Sequence, residues 1–80
     1  MKQDLSRYTS DPLWPIVVET VHALVMFKNH KRYVADSLLP EKPEISPEEL
    51  AVELGIPLGE ALVILFELQQ ERSGQQRPSA

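Results

Sequence analysis

The sequence predicts an all-α fold, a three- to four-helix bundle, from two observations. Apolar residues recur at helical spacing in two long segments, around residues 15–29 and 58–72. Ser46 begins the clearest helix-start signal in the chain. At 80 residues the chain is one domain. We expect its ordered part to span residues 11–72, between flexible tails at residues 1–10 and 73–80.

Helix one is predicted to cover residues 15–29. Pro15 suits the first turn of a helix, and Trp14 before it is expected to lie against the core. The many β-branched residues favour a strand instead, but the run is too long and too poorly alternating for one strand. The apolar stripe consists of Val17, Val18, Val21, Leu24 and Val25.

The chain is predicted to change direction after helix one. Lys28 interrupts the apolar stripe, which indicates a break near Asn29. A short second helix is expected over residues 31–39. Residues 40–44 then form a linker, since their two prolines exclude a helix interior.

The next helix has a complete start signal. Ser46 is the N-cap, Pro47 is the first helical residue, and Glu49 is the third. In such a capping box the serine hydroxyl and the glutamate carboxylate each accept a hydrogen bond from a backbone N–H that lacks a helical partner. Ile45 and Leu50 flank the cap as a hydrophobic staple.

Residues 46–71, SPEELAVELGIPLGEALVILFELQQE, resemble the helix-turn-helix of winged-helix and related regulators. Ala51 is small where two helices approach closely, and Gly55 makes the turn before the apolar Ile56. The last helix is expected over residues 58–72. Its inner face is predicted to be core and consists of Leu58, Ala61, Leu62, Leu65 and Leu68.

The resemblance implies that the last helix is a recognition helix, which enters the major groove of DNA. A winged helix also has a β-hairpin after this helix. Residues 73–80 contain no β-rich run, so no clear wing is predicted. Because the same fold also serves in protein interaction, the resemblance leaves the function open.

The outer face of the last helix carries acidic residues and two apolar ones at their edges. One interpretation is that Val63 and Ile64 are core, since a helix in a bundle can be apolar almost all round. The other is that they dock on a partner helix or on a second copy of the chain. The candidate interface consists of Val63, Ile64, Phe66, Glu60, Glu67 and Glu71.

The charge of this unit disfavours DNA as its partner. From Glu44 to Arg72 there are seven acidic residues and one basic residue, a net charge of −6. Lysine and arginine supply most of the non-specific affinity for phosphates. The start of the last helix also has no Arg, Lys, Asn or Gln, where base edges are usually read. The net charge of the whole chain, −4, points the same way.

The only basic cluster lies near the end of helix one. The simpler interpretation is favourable charge at a helix C-terminus. The alternative is that Lys28, Lys31 and Arg32, with His30 among them, contact a phosphate or an acidic partner. The acidic unit of another copy is one such partner.

The composition excludes several kinds of chemistry. The chain has no cysteine, and therefore no disulfide, iron–sulfur cluster or thiolate zinc site. His22 and His30 lack a carboxylate at ligand spacing, and no catalytic grouping or glycine-rich phosphate loop is present. We expect no enzyme activity, no cofactor and no metal.

The segment at residues 1–10 is polar, and the apolar run at residues 16–27 is too short to span a bilayer. A cytoplasmic location without a membrane partner is therefore expected.

These features predict a small, non-enzymatic protein-interaction or regulatory module on a helix-turn-helix fold. So short a chain has a thin stability margin, so contact with another protein or with itself, as in a homodimer, is expected. The alternative is a DNA-binding transcriptional regulator that uses the basic cluster or the charge of a partner. A third interpretation is a small subunit of a larger complex, with both tails ordered on assembly.

Overall fold

The computed structural model describes residues 4–75, with side chains from residue 4 to residue 72. This part of the chain contains helices and no strand, so the prediction of an all-α fold is confirmed. In chain order the elements are α1 (Ser6–Thr9), α2 (Trp14–His22), α3 (Phe27–Tyr33), a π-helical turn (Val34–Leu38), α4 (Leu39–Glu41), α5 (Pro47–Leu54) and α6 (Leu58–Gln75).

The central element is α6, which α2, α3 and α5 all contact. Residues 60–65 are buried without exception. Six consecutive residues exceed one turn of 3.6 residues, so this part of α6 has no face in solvent. Five of the six are apolar, which is typical of a helix enclosed on all sides. The helices α2, α3 and α5 therefore pack around α6 and shield it from solvent.

The start of α5 is as predicted. The backbone N–H of Glu49 donates to Oγ of Ser46 at 3.1 Å, and the N–H of Ser46 donates to Oε1 of Glu49 at 3.1 Å. The flanking Ile45 and Leu50 are both buried. Gly55 ends the helix with a φ of 67°, a conformation that glycine adopts without steric cost. The resemblance of α5 and α6 to the helix-turn-helix of regulators stays a prediction.

The predicted single helix over residues 15–29 is wrong, because the chain turns at residues 23–26 between α2 and α3. In a continuous helix at about 100° per residue, Phe27 would point about 120° away from Val21, outside the core. The turn lets both residues be buried. Its cost is that Leu24 and Val25, predicted to lie on the core stripe, face solvent instead.

The predicted helix over residues 31–39 and linker over residues 40–44 are also placed wrongly. Here α3 continues into the π-helical turn, in which the N–H of Leu39 donates to the carbonyl of Val34. Pro40 follows in the first turn of α4. Proline has no N–H to donate, and in a first turn none is needed, so a helical segment accommodates it.

The N-terminal tail is shorter than predicted. Leu5 is buried in the core, and the hydroxyl of Tyr8 donates to Glu48 of α5 at 3.1 Å. The expectation of a flexible segment is therefore wrong for residues 5–9, because these side chains add cover to the core. At the other end α6 extends through Gln75. The predicted tails at residues 1–3 and 76–80 lie outside the described residues.

We expect Ile64→Val to lower the free energy of unfolding by about 0.5–1.5 kcal/mol, because the lost methylene leaves a gap in a closed core. The matched control is Val52→Ala, at an α5 side chain that is 84% exposed, with an expected change within about 0.5 kcal/mol. Urea unfolding of both variants measures the difference. Equal effects would contradict the enclosed position of α6.

Candidate functional site

Val63 and Ile64, the centre of the predicted interface, are completely buried, at 0% exposure each. The interpretation of these two residues as a docking strip is therefore wrong, and the core interpretation is correct. Phe66 is partly buried and meets Trp14 of α2 edge-on, with 5.5 Å between ring centres. Val63 and Ile64 are core because α2, α3 and α5 all pack on α6 and bury each of residues 60–65.

The acidic face of α6 points at α2 and α3 instead of at a partner. A histidine or a lysine meets each of the three glutamates, and these contacts form the α6 polar seam. The ion pairs of the seam are His30–Glu60, His22–Glu67, Lys31–Glu67 and Lys31–Glu71. The predicted frame of an external interface is thus an internal contact between helices.

The pair of Glu60 and His30 is the most enclosed part of the seam. The Glu60 side chain is 4% exposed, and its Oε2 lies 2.5 Å from Nδ1 of His30. An ionised carboxylate can only accept a hydrogen bond, so Nδ1 carries the proton when Glu60 is charged. A buried carboxylate without a partner is costly, and His30 supplies that partner.

Glu67 accepts hydrogen bonds from two residues on two different helices. Nε2 of His22 lies 2.5 Å from one carboxylate oxygen, and Nζ of Lys31 lies 3.0 Å from the other. Burial raises the pKa of Glu67, but the hydrogen bonds of His22 and Lys31 and their charges together lower it below the ordinary 4.5. Glu67 therefore holds α2 and α3 to the same point of α6.

Lys31 has the opposite balance. Burial lowers the pKa of its ammonium group, but hydrogen bonds to Glu71 and Glu67 and their negative charges raise it above the ordinary 10.5. Lys31 is thereby removed from the predicted phosphate contact. Lys28 and Arg32 remain exposed on α3, and neither has an ion pair among the described residues. The predicted trio is split into one structural cation and two surface cations.

The seam is not arranged as a metal site. Within the described side chains, no three histidine or carboxylate groups stand close enough together to hold a metal ion. Each of the six side chains of the seam has at least one partner within it. The arrangement is suited to joining helices.

A further exposed feature near the core is apolar. A groove of about 280 Å³ lies between α1, α2 and the start of α6, with Trp14, Val17 and Leu62 in its lining. On its rim stand Leu13, 62% exposed, and Leu58, 40% exposed. Leu58 was predicted to be core, but as the first residue of α6 it has no preceding turn to pack against. We call this feature, with the neighbouring Ile16, the α2 groove.

Ile16 extends this apolar rim by one turn along α2. It is 57% exposed and lies three residues from Leu13, so the two side chains are neighbours on one helix face. Sequence reasoning missed this set. The signal that was available is that α2 has apolar residues on more positions than one buried stripe can use.

Comparisons of the chain with family models, with curated proteins and with solved structures found no significant match. Among the described residues, no helix is both long enough and apolar enough to cross a membrane.

Removal of His30 is expected to cost more stability than removal of His22. His30→Ala leaves Glu60 enclosed without its partner, at a cost of about 1–3 kcal/mol. His22→Ala leaves Glu67 with Lys31, and the His22 side chain is half exposed, so we expect about 1 kcal/mol or less from the lost pair. Urea unfolding at neutral pH compares the variants. The reverse order would contradict the structural role of the Glu60 pair.

Acid is expected to weaken the fold through Glu67. Because its folded-state pKa lies below 4.5, its contribution is complete above that pH and is lost as the pH falls through the folded-state pKa. Glu67→Gln should therefore lower the free energy of unfolding at neutral pH and flatten its decline in acid. Urea unfolding at a series of pH values from neutral to acid measures both effects.

The control for this titration is Glu53→Gln, which removes a carboxylate from an exposed pair with Lys42. We expect the control to follow the wild-type decline closely. An equally steep decline in the Glu67→Gln variant would show that other groups carry the acid sensitivity.

Proposed function

We propose that the protein is a small, non-enzymatic interaction module that binds another protein through the α2 groove. The observation that carries this proposal is the exposure of Leu13 and Leu58 at the rim of one apolar depression, with Ile16 exposed beside Leu13. Small monomers seldom leave neighbouring large apolar side chains in solvent, and such patches usually mark binding surfaces. A cytoplasmic location, expected from the polar segment at residues 1–10 and the short apolar run at residues 16–27, is part of the proposal.

The shape and chemistry of the groove fit an amphipathic helical segment of the partner. Its lining is mainly apolar, and Arg7 and Asp11 lie at its edge. An amphipathic helix offers apolar side chains at three- and four-residue spacing, which fill such a groove, while its polar face stays in water. The two edge charges would then set its orientation.

DNA binding has less support than protein binding. The helix that the resemblance offers as a recognition helix is enclosed over residues 60–65, so these residues are not available to base edges. The unit from Glu44 to Arg72 also carries a net charge of −6, which repels phosphates. An enzyme has less support too, because the histidines and the three glutamates of the seam are used in ion pairs between helices.

The proposal predicts that Leu13→Lys/Ile16→Lys abolishes capture of a specific partner. Each lost apolar anchor removes about 1.5–3 kcal/mol, so the joint loss exceeds a hundredfold in affinity. The control is Ser37→Lys/Gln70→Lys, which makes the same charge change at exposed positions in the π-helical turn and on α6. The tagged full chain is used for capture, and the captured protein is then purified and titrated with each variant.

A partner that binds both variants with wild-type affinity would contradict the groove as the site. In parallel, the wild-type chain is titrated with duplex DNA at low and at high salt. Tight binding with a steep salt dependence would favour the regulator instead, because counterion release produces that slope.

A further inference from the structure

The outward face of α3 combines two cations with apolar groups, and we call it the α3 face. Lys28 and Arg32 lie four residues apart, so their side chains are neighbours on the helix. Val25 and Met26, in the turn before α3, are 94% and 48% exposed, and Tyr33 at its end is 48% exposed. The seam does not use these residues, because Lys31 and His30 face α6.

The outward face of α5 has the complementary composition, and we call it the α5 face. Glu48, Glu49 and Glu53 are exposed there, and they surround Val52, which is 84% exposed. Three- and four-residue spacings place Val52 beside Glu48 and Glu49. The ion pair of Glu53 with Lys42 is an exposed one at 3.3 Å, of the kind that contributes little stability.

We propose that the α3 face of one molecule binds the α5 face of a second copy. Lys28 and Arg32 would meet the glutamates of α5, while Val52 packs against Val25, Met26 or Tyr33. This inference rests on the proposed function as an interaction module, and it assigns a second partner, the chain itself, to a surface separate from the α2 groove.

Charge and apolar content together favour a second copy over nucleic acid. The α3 face offers only two unpaired cations among the described residues, which is few for a phosphate backbone, and such a backbone has no apolar group to cover Val25, Met26 and Tyr33. The α5 face supplies carboxylates for the two cations of the α3 face and Val52 for its apolar groups. Because every molecule carries both faces, each association brings complementary surfaces together.

The contact joins two different faces, so it is heterologous unless a two-fold axis lets both contacts form at once. Repeated heterologous contacts produce rings or chains, whereas the two-fold arrangement produces a closed dimer. Association should weaken with salt, because opposite charges at exposed faces are screened over about 10 Å at 0.1 M salt.

The test is a charge exchange on the full chain, followed by sedimentation velocity at high micromolar concentration and low salt. Lys28→Glu/Arg32→Glu makes the α3 face acidic, and Glu48→Lys/Glu53→Lys makes the α5 face basic. Each variant alone should show a dissociation constant raised at least about tenfold, because like charges then oppose each other. An equimolar mixture should associate again, since the acidic α3 face of one variant fits the basic α5 face of the other.

Two controls keep the result specific. Circular dichroism and thermal unfolding confirm that each variant is folded, which separates lost association from lost structure. Leu13→Lys/Ile16→Lys should self-associate like the wild type, so failure of the α2 groove proposal and failure of this one are distinguishable. A monomeric wild-type chain, or variants that associate normally, or a mixture that stays monomeric, would each overturn the inference.

Discussion

Enclosure of α6 over residues 60–65 is the constraint on which the rest of the structure depends. A helix without a solvent face must be covered from several directions, and one short chain has to provide all of the cover. This requirement accounts for the turn at residues 23–26, which brings Phe27 into the core. It also accounts for the burial of Leu5 in the same core. The small helices are arranged around α6 because their own lengths give them little independent stability.

The same enclosure determines the electrostatics. Glu60 is buried along with its apolar neighbours, so it requires a hydrogen-bonding partner, and His30 of α3 provides one. Further along the helix, Glu67 and Glu71 engage Lys31, while His22 engages Glu67 from α2. Six titratable groups are thus used to attach α2 and α3 to the centre. Their chemistry is that of a structural seam, and the surface chemistry of the protein is left to other residues.

What remains outside is a set of apolar side chains on separate faces. The α2 groove has Leu13, Ile16 and Leu58 around it, and the α3 and α5 faces each combine apolar groups with charge of one sign. A bundle of this size has too few positions to bury every apolar residue that it contains. These exposed apolar residues fall into two kinds of surface. The mainly apolar α2 groove suits a helix of a partner protein, and the oppositely charged α3 and α5 faces suit each other.

The sequence by itself determined the helical class and the local geometry at both ends of α5. The Ser46 cap and the left-handed Gly55 depend on neighbours within about four residues, so the pattern alone predicts them. Only the tertiary structure decided that Val63 and Ile64 are core, that α2 ends at His22, and that the glutamates of α6 face inward. The physical reason is distance along the chain. The contacts of Glu60 and Glu67 with the histidines join residues 30 and 45 positions apart, and no helical period encodes which helix covers which face.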